Sequence, residues 1–326
     1  MGTMEETAYG QQEIADKMQT SWAGKKIKFY ESIDSTNIAA KQEAEKGAPS
    51  GTLIVADMQT AGRGRRGRSW SSPAGTNIYY TLILRPDFAQ DKASMLTLLM
   101  ALSVVKGLKK TLQADETDTT DQEEEAIQPD EAFVEKATRL DRVFAVEGGD
   151  KILSADKKEI VQIDKAFAAI SIKWPNDVVA NGKKICGILT EMGIESDGGW
   201  YVVIGVGINV GRQDFAPELA DKATSLEAEF GRKFSRSLLL AHIMEAFEKD
   251  YDLFCRQGSL AGLKERYEQL LVNKDREVTV LDPKGEYQGI ARGINEEGEL
   301  LVELPDGKIA QVCAGEVSVR GIYGYV

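Results

Sequence analysis

The feature that most limits how this chain can fold is a change in sequence texture near Lys274. Short apolar stretches follow it, separated by sequences rich in proline, glycine and acidic residues. The apolar stretches span residues 277–282, 287–294, 300–304, 309–314 and 317–320. Proline, glycine and aspartate favour tight turns, and short, evenly spaced strands joined by such turns are typical of a small β-barrel. The C-terminal part is therefore predicted to form a separate β-domain.

The sequence before this change alternates between strand and helix patterns. Strands are predicted over residues 26–34, 52–58, 77–84, 168–173, 184–192 and 200–210. Helices are predicted over residues 11–23, from the capping residues 35–37 to 47, over 93–112, and over 235–270 with a break near Gly258. Asn181-Gly182 is a strong signal for a tight hairpin turn.

Composition excludes several classes of protein. No apolar run is long enough to cross a membrane, and the N-terminus lacks the basic-then-apolar layout of a signal peptide, so a cytoplasmic protein is expected. Cys186, Cys255 and Cys313 are an odd number and lie far apart, which fits neither a disulfide framework nor a zinc site with close-set pairs. The only histidine, His242, lies in an apolar helical run. A Ser-His-Asp triad or a multi-histidine metal site is therefore not expected.

The net charge of −12 is concentrated in one segment. Residues 115–135 carry ten acidic and no basic side chains, so the rest of the chain is close to neutral. Dense like charge with almost no aromatic residues predicts disorder, because such a segment buries too little surface to offset its ordering entropy. A docking tail for a basic partner is the alternative interpretation.

Gly62 to Trp70 is the most informative stretch. It matches the dinucleotide-binding pattern G-x-G-x-x-G, but residues 69–77 read as loop where that pattern requires a helix, so the match is rejected. Its four arginines, among glycines that allow close backbone approach, favour a phosphate-bearing ligand. A solvated loop and RNA binding are the alternatives. The motif occurs once in an acidic chain, whereas RNA-binding proteins usually carry a broad basic face.

Two strand ends carry further polar groups. Lys173 follows an apolar strand and is suited to stabilising negative charge on a phosphate or carboxylate, with Asn176 and Asp177 beside it. An ordinary strand end is the alternative. The strand that ends at Asn209 contains interior glycines, which favour close approach of a ligand or another backbone, and Asn209 is suited to reading an adenine edge. A β-bulge is the alternative there.

Taken together, these motifs resemble the biotin–protein ligase family from about Phe29 to Arg320. The matching motifs, in order, are residues 34–37, 59–70, 173–177, 184–189 and 205–209. The resemblance implies an α+β fold: a catalytic domain with a mixed, largely antiparallel sheet, related to class II aminoacyl-tRNA synthetases, and a small SH3-like C-terminal β-barrel. The expected division is an N-terminal extension (1–25), a catalytic domain (26–272) with an acidic insertion at about 113–136, and the C-terminal domain (273–326).

The resemblance also implies a two-step reaction. The biotin carboxylate attacks the α-phosphorus of ATP, and a lysine of a biotin carboxyl carrier protein then attacks biotinyl-5'-AMP. No enzyme nucleophile is required, so catalysis would be positioning and charge stabilisation. Mg²⁺ is expected to accompany ATP, with no ligands assigned and no bound prosthetic group.

The resemblance assigns functional residues by motif. Lys173, Arg65 and Arg68 are implied to be catalytic. The residues implied to bind biotin are Ser35, Thr36, Asn37, Gln59, Gly62, Arg63, Gly64, Arg65 and Lys173. Those implied to bind ATP are Arg65, Arg68, Trp70, Asn176 and Asn209.

Alternatives remain at this level. A lipoate or octanoate ligase would share the fold. Many relatives also carry an N-terminal helix-turn-helix and act as repressors. Fewer than ~30 residues precede the first predicted strand, which is too few for that module, so the monofunctional form is expected. A homodimer is plausible, and neither nucleic acid nor membrane is expected as a partner.

Overall fold

The computed structural model describes residues 9–114, 169–195, 198–282, 285–314 and 318–321. Within these residues, seven strands form a mixed sheet in the order β1-β2-β3-β7-β6-β5-β4. The strands are β1 (Lys26–Ile33), β2 (Thr52–Gln59), β3 (Ile78–Leu84), β4 (Ile170–Lys173), β5 (Asp177–Ala180), β6 (Lys183–Ile194) and β7 (Trp200–Ile208). Only the β1–β2 pair is parallel, which confirms the largely antiparallel sheet. The predicted disorder of the acidic segment concerns residues outside the described ranges.

Helices cover the two faces of this sheet unequally. They are α1 (Gln11–Lys17), α2 (Thr36–Glu45), α3 (Met95–Ala114), α4 (Leu226–Phe230), α5 (Arg236–Gln257) and α6 (Ala261–Leu270). The alanines of α2 pack on one face against Ile54, Ile83 and Val203. The longer α3 and α5 cover the other face and bury the main apolar core. None of the described helices is long and apolar enough to cross a membrane.

The predicted helix over residues 11–23 is too long. It ends at Lys17, and the chain then turns so that the backbone N–H groups of Ser21, Trp22 and Ala23 donate to the carboxylate of Glu248 on α5. A tertiary contact with α5 therefore takes the N–H groups that a longer helix would use internally. Two short elements, β5 and α4, were not predicted.

Turn predictions are confirmed where glycine or asparagine occupies positive φ. Asn181 and Gly182 have φ of 47° and 76° and join β5 to β6, as expected for a tight hairpin. Gly258 has φ of 69° and ends α5, which separates it from α6.

A second sheet follows α6. Its described strands are β8 (Arg276–Asp282), β9 (Gly285–Ile294), β10 (Leu300–Glu303), β11 (Ile309–Val312) and β12 (Ser318–Gly321), all antiparallel in the order β11-β10-β9-β8-β12. The small C-terminal β-domain is thereby confirmed. The domain limits 1–25, 26–272 and 273–326 stay a prediction, which the start of this sheet at Arg276 supports.

Trp174 joins the two sheets. Its side chain is 1 % exposed, and its indole N–H donates to the carbonyl of Gly298 at 3.0 Å. Its backbone N–H donates to Oδ1 of Asn273, also at 3.0 Å. The turn between β4 and β5 is therefore anchored to the C-terminal domain immediately beside Asn176.

Candidate active site

A cleft opens on the α2 face of the sheet, where side chains on β6 and β7 become small. Along β7, Tyr201 and Val203 pack beneath α2, whereas the next residues on the same face are Gly205 and Gly207. On β6, Gly187 pairs with Gly207. Gly187, Gly205 and Gly207 therefore give the cleft a floor of bare backbone, the glycine floor.

Neighbouring side chains require these glycines. A Cβ atom on Gly205 would lie 1.8 Å from Oδ1 of Asn37. On Gly207 it would lie 2.4 Å from Nε1 of Trp70, and on Gly187 it would lie 2.8 Å from the ring of the same tryptophan. A side chain at any of the three positions would displace a group that lines the cleft.

The start of α2 supplies a polar wall. Ser35, Thr36 and Asn37 are nearly fully buried and line the cleft. The backbone N–H of Thr36 donates to Oε1 of Gln59 at 2.9 Å, and its hydroxyl lies 3.0 Å from the same oxygen. Nε2 of Gln59 donates to the hydroxyl of Ser72 at 2.9 Å. Gln59 at the end of β2 thus links this polar wall to Ser72, which follows the glycine-arginine loop (Gly62 to Trp70).

That loop folds back on itself. The N–H of Trp70 donates to the carbonyl of Gly62 at 2.8 Å, and the N–H of Gly64 donates to the carbonyl of Arg68 at 2.7 Å. A Cβ on Gly62 would lie 2.4 Å from the Trp70 carbonyl, so this approach requires glycine. At the tip, Arg66 has φ of 59°.

Two cationic side chains lie at one end of the cleft. Nζ of Lys184 is 2.6 Å from Oδ1 of Asp177 and 5.1 Å from the centroid of the Trp70 ring. Arg65 donates from Nη1 to Oδ1 of Asn176 at 2.9 Å and from Nη2 to the carbonyl of Ala314 in the C-terminal domain. Burial lowers the pKa of Arg65, and the nearby Asp177 carboxylate opposes that shift. A guanidinium group stays charged despite such a shift.

Most of the predicted site residues meet in this cleft. Those in its lining are Ser35, Thr36, Asn37, Gln59, Arg63, Gly64, Arg65, Trp70 and Asn176. Gly62 is not in the lining but lies next to Gln59 and to the Trp70 carbonyl.

Three predicted residues lie elsewhere. Arg68 is exposed on the loop. Lys173 is 6 % exposed at the end of β4 and is not part of the cleft lining. Asn209 is buried, and its Nδ2 donates to the carbonyl of Thr224 at 3.1 Å.

Sequence reasoning omitted several lining residues from the site. They are Lys184, Gly187, Ile188, Leu189, Gly205, Val206 and Gly207. All of them fall in two of the matching motifs, residues 184–189 and 205–209. Glycines inside two predicted strands were the available signal, because they mark places where a strand leaves room for a ligand.

The arrangement suits a flat ligand with a polar head and an anionic end. The glycine floor accepts a flat group, the wall at Thr36 and Gln59 offers hydrogen bonds, and Lys184 and Arg65 attract negative charge. Among the described residues, the buried Nε1 of Trp70 has no acceptor, which is unusual for a buried donor. Within the described ranges, there is no cluster of three or more His, Cys, Asp or Glu side chains that could hold a metal ion.

Comparisons with known proteins agree with this description. Residues 29–209 match the biotin/lipoate A/B protein ligase family, and residues 275–320 match the biotin protein ligase C terminal domain. The bifunctional ligase/repressor BirA of Bacillus subtilis is 35 % identical over 297 residues, covering 90 % of this chain and 74 % of that protein. A biotin–[acetyl-CoA-carboxylase] ligase of Paracoccus denitrificans is 27 % identical, covering 84 % and 93 %.

A solved structure shares the fold. It is the biotin protein ligase from Aquifex aeolicus in complex with biotin and ATP, with a TM-score of 0.61 and 25 % identity. The alignment covers 91 % of this chain and 99 % of that one, so it includes both sheets.

Proposed function

Because the chain belongs to the biotin/lipoate A/B protein ligase family and, within it, to the biotin protein ligases, we propose that it joins biotin to a lysine of a carrier protein. The reaction consumes ATP. The observation that carries this proposal is the cleft itself. It combines a glycine floor, the hydrogen-bonding wall at Thr36 and Gln59, and two cations at one end. Biotin has a flat ureido head with N–H and C=O groups and a carboxylate at the far end of its chain.

The first step makes an acyl phosphate. A biotin carboxylate oxygen attacks the α-phosphorus of ATP, the bond to the β-phosphate bridging oxygen breaks, and pyrophosphate leaves. Negative charge grows on the phosphorus oxygens, and fixed cations stabilise that charge in a dry site. Lys184 and Arg65 both belong to the cleft lining and both lie near the carboxylate of Asp177, and they are proposed to stabilise this charge together.

Lys184 is proposed for the carboxylate contact that the resemblance assigns to Lys173. Lys184 belongs to the cleft lining, whereas Lys173 lies outside it. Trp70 borders both the glycine floor and Lys184, which supports the proposed contact between its ring and adenine. Mg²⁺ enters as part of the ATP substrate and neutralises phosphate charge.

The second step forms the amide bond. The uncharged amine of an acceptor lysine attacks the acyl carbon, the C–O bond to AMP breaks, AMP leaves, and the amine loses a proton. The cleft must hold biotinyl-5'-AMP until the acceptor arrives, and the loop from Gly62 to Trp70 is placed beside the floor to cover it. We propose that the acceptor is a biotin carboxyl carrier protein, that the enzyme acts in the cytoplasm and that it can form a homodimer.

Biotin is favoured over lipoate by the C-terminal match, which belongs to a biotin protein ligase domain. The repression named for the Bacillus subtilis relative is not assigned to this chain, whose match covers 74 % of that protein.

The decisive test is ATP–pyrophosphate exchange with biotin, with lipoate as the parallel substrate. Exchange with biotin alone is expected. Exchange with lipoate alone would keep the fold and overturn the substrate. Transfer is then followed with a biotin carboxyl carrier domain and with a variant of that domain in which the acceptor lysine is arginine, which is expected to stay unlabelled.

A further inference from the structure

Glu191 is a carboxylate at the edge of the cleft that the reaction itself does not use. It lies on β6, four residues after Gly187, so the two residues point to the same face of the strand. Its side chain is 19 % exposed and lies 2.7 Å from Nζ of Lys41 on α2. It also accepts from Nδ2 of Asn37 at 2.8 Å, and Nη1 of Arg63 in the loop lies 3.8 Å away. One carboxylate therefore faces the polar wall and the loop at once.

The contact with Asn37 sets the orientation of that amide. A carboxylate only accepts hydrogen bonds, so it selects the NH₂ side of Asn37. The carbonyl of Leu189, 3.3 Å from the same Nδ2, selects it as well. Oδ1 of Asn37 then points the other way, where it accepts from the hydroxyl of Thr81 at 2.8 Å and lies against the backbone of Gly205.

The orientation of Asn37 also affects the neighbouring hydroxyl groups of the polar wall. Thr81 is fully buried and has a single hydroxyl proton, which the Oδ1 acceptor of Asn37 attracts. The same Thr81 oxygen lies 2.9 Å from the hydroxyl of Thr36, which is also hydrogen-bonded to Gln59. Hydrogen-bonded chains of this kind polarise one another in a dry environment. The charge on Glu191 thus biases which atoms of the wall donate and which accept.

Glu191 stays ionised at neutral pH. Burial opposes ionisation, but hydrogen bonds from Lys41 and Asn37 and the charges of Lys41 and Arg63 outweigh burial, so the pKa of Glu191 lies below its usual value.

We propose that Glu191 is a positioning residue, which orients Asn37 and thereby the wall that recognises the biotin head group, while its charge holds Arg63 at the base of the loop. This inference rests on the proposed function, because the ligand of the wall is taken to be biotin. It predicts an effect on biotin recognition that is separate from any effect on ATP or on folding.

The test compares Glu191→Gln with a matched control. Glutamine keeps the shape but both donates and accepts, so of the two groups that select the NH₂ side of Asn37 only the Leu189 carbonyl remains, and Lys41 and Arg63 lose their counter-charge. Glu195→Gln is the control, because Glu195 follows the same strand, is 23 % exposed and pairs with Arg85 away from the cleft lining. In biotin-driven pyrophosphate exchange, Glu191→Gln is expected to raise the KM for biotin about tenfold, the size of one hydrogen bond to a charged group. The KM for ATP and kcat should stay within about twofold, and Glu195→Gln should match wild type in all three.

A second variant separates positioning from general loss of an ion pair. Lys41→Met removes the cation that pairs with Glu191 but leaves the contact between Glu191 and Asn37. It is expected to raise the KM for biotin much less than Glu191→Gln. Three outcomes would overturn the inference: an equal rise in the KM for biotin in both variants, a parallel rise in the KM for ATP, or an unchanged KM for biotin in Glu191→Gln. In each case, biotin-driven exchange by the wild-type chain would still support the proposed function. A wild-type chain without biotin-driven exchange would remove the proposed function and this inference with it.

Discussion

The two faces of the central sheet differ in what covers them. On one face, α3 packs against the sheet, and Val202, Ile204 and Ile208 of β7 belong to the main core that α3 and α5 help to form. On the other face, α2 covers only part of the same strand. Tyr201 and Val203 lie beneath it, and beyond it the strand continues as bare backbone that lines the cleft.

This difference separates stability from ligand binding within a single strand. Side chains that point to the α3 face bury apolar area, which is the main source of folding free energy. Residues that point to the uncovered face have no helix to pack against, so an apolar side chain there would face solvent or occupy the ligand space. Substitutions on the cleft face should therefore lower activity and retain stability. Substitutions on the α3 face should lower stability and retain activity.

The largest effect is expected for Lys184→Ala. Removing a preorganised cation from a site of charge development costs roughly 10²–10³-fold in rate, and kcat/KM in biotin-driven exchange should fall by about that factor. Lys183→Ala is the matched control, since Lys183 is adjacent but reaches towards the carbonyl of Ala220. A comparable loss in Lys183→Ala would argue against a specific role. If Lys173→Ala alone abolishes adenylation, the contact belongs to Lys173, as the resemblance implies.

A smaller loss is expected for Gly207→Ala. The added Cβ would meet Nε1 of Trp70 at 2.4 Å and push the indole from the glycine floor. Misplacement by about 1 Å can cost up to 10²-fold, so we expect kcat/KM to fall about 10- to 100-fold with little change in the midpoint of thermal unfolding. The control is Ile204→Val on the opposite face, which should lower stability by about 0.5–1.5 kcal/mol and leave kcat/KM unchanged. Full activity in Gly207→Ala would show that the floor tolerates a methyl group.

On the covered face, Leu102→Ala should affect stability alone. Leu102 on α3 is 1 % exposed in the main core. Its truncation should lower the free energy of unfolding by about 2–5 kcal/mol in denaturant titrations. Activity per folded molecule should equal that of wild type. A selective rise in the KM for biotin would contradict the separation of the two faces.

The smallest effect concerns pH and His242 on α5. Burial, followed by the charge of Lys110, lowers the pKa of His242 to about 4 from 6.5. Between these values the unfolded chain binds a proton that the folded protein excludes, so stability from this group is present above pH 6.5 and is lost as pH falls towards 4. His242→Gln should flatten the dependence of unfolding free energy on pH in that window. An unchanged slope would assign the dependence to other groups.

Several local features could be predicted because short-range chemistry determines them. Asn181 and Gly182 adopt positive φ in a hairpin turn, a conformation that these two residue types favour, and Gly258 ends α5 with positive φ as well. Apolar runs, alternating only in residues 26–34, predicted the strands, and glycines inside a predicted strand indicated a place for a ligand. Of the site residues that the family resemblance implied, nine line the cleft.

What only the tertiary structure decided is which side chains share the cleft. Trp174 follows Lys173 in one motif, but it joins the C-terminal domain through Gly298, a partner far away in sequence. There is a geometric reason why Lys184 lines the cleft and the predicted Lys173 does not. Strict alternation from Gly187 would put Lys184 on the opposite face of β6, but the pairing with β5 shifts between Val178 and Val179. Such a bulge inserts one extra residue and re-aims the side chains beyond it. The sequence determined the strands and their glycines, and the register of two neighbouring strands decided which lysine reaches Trp70.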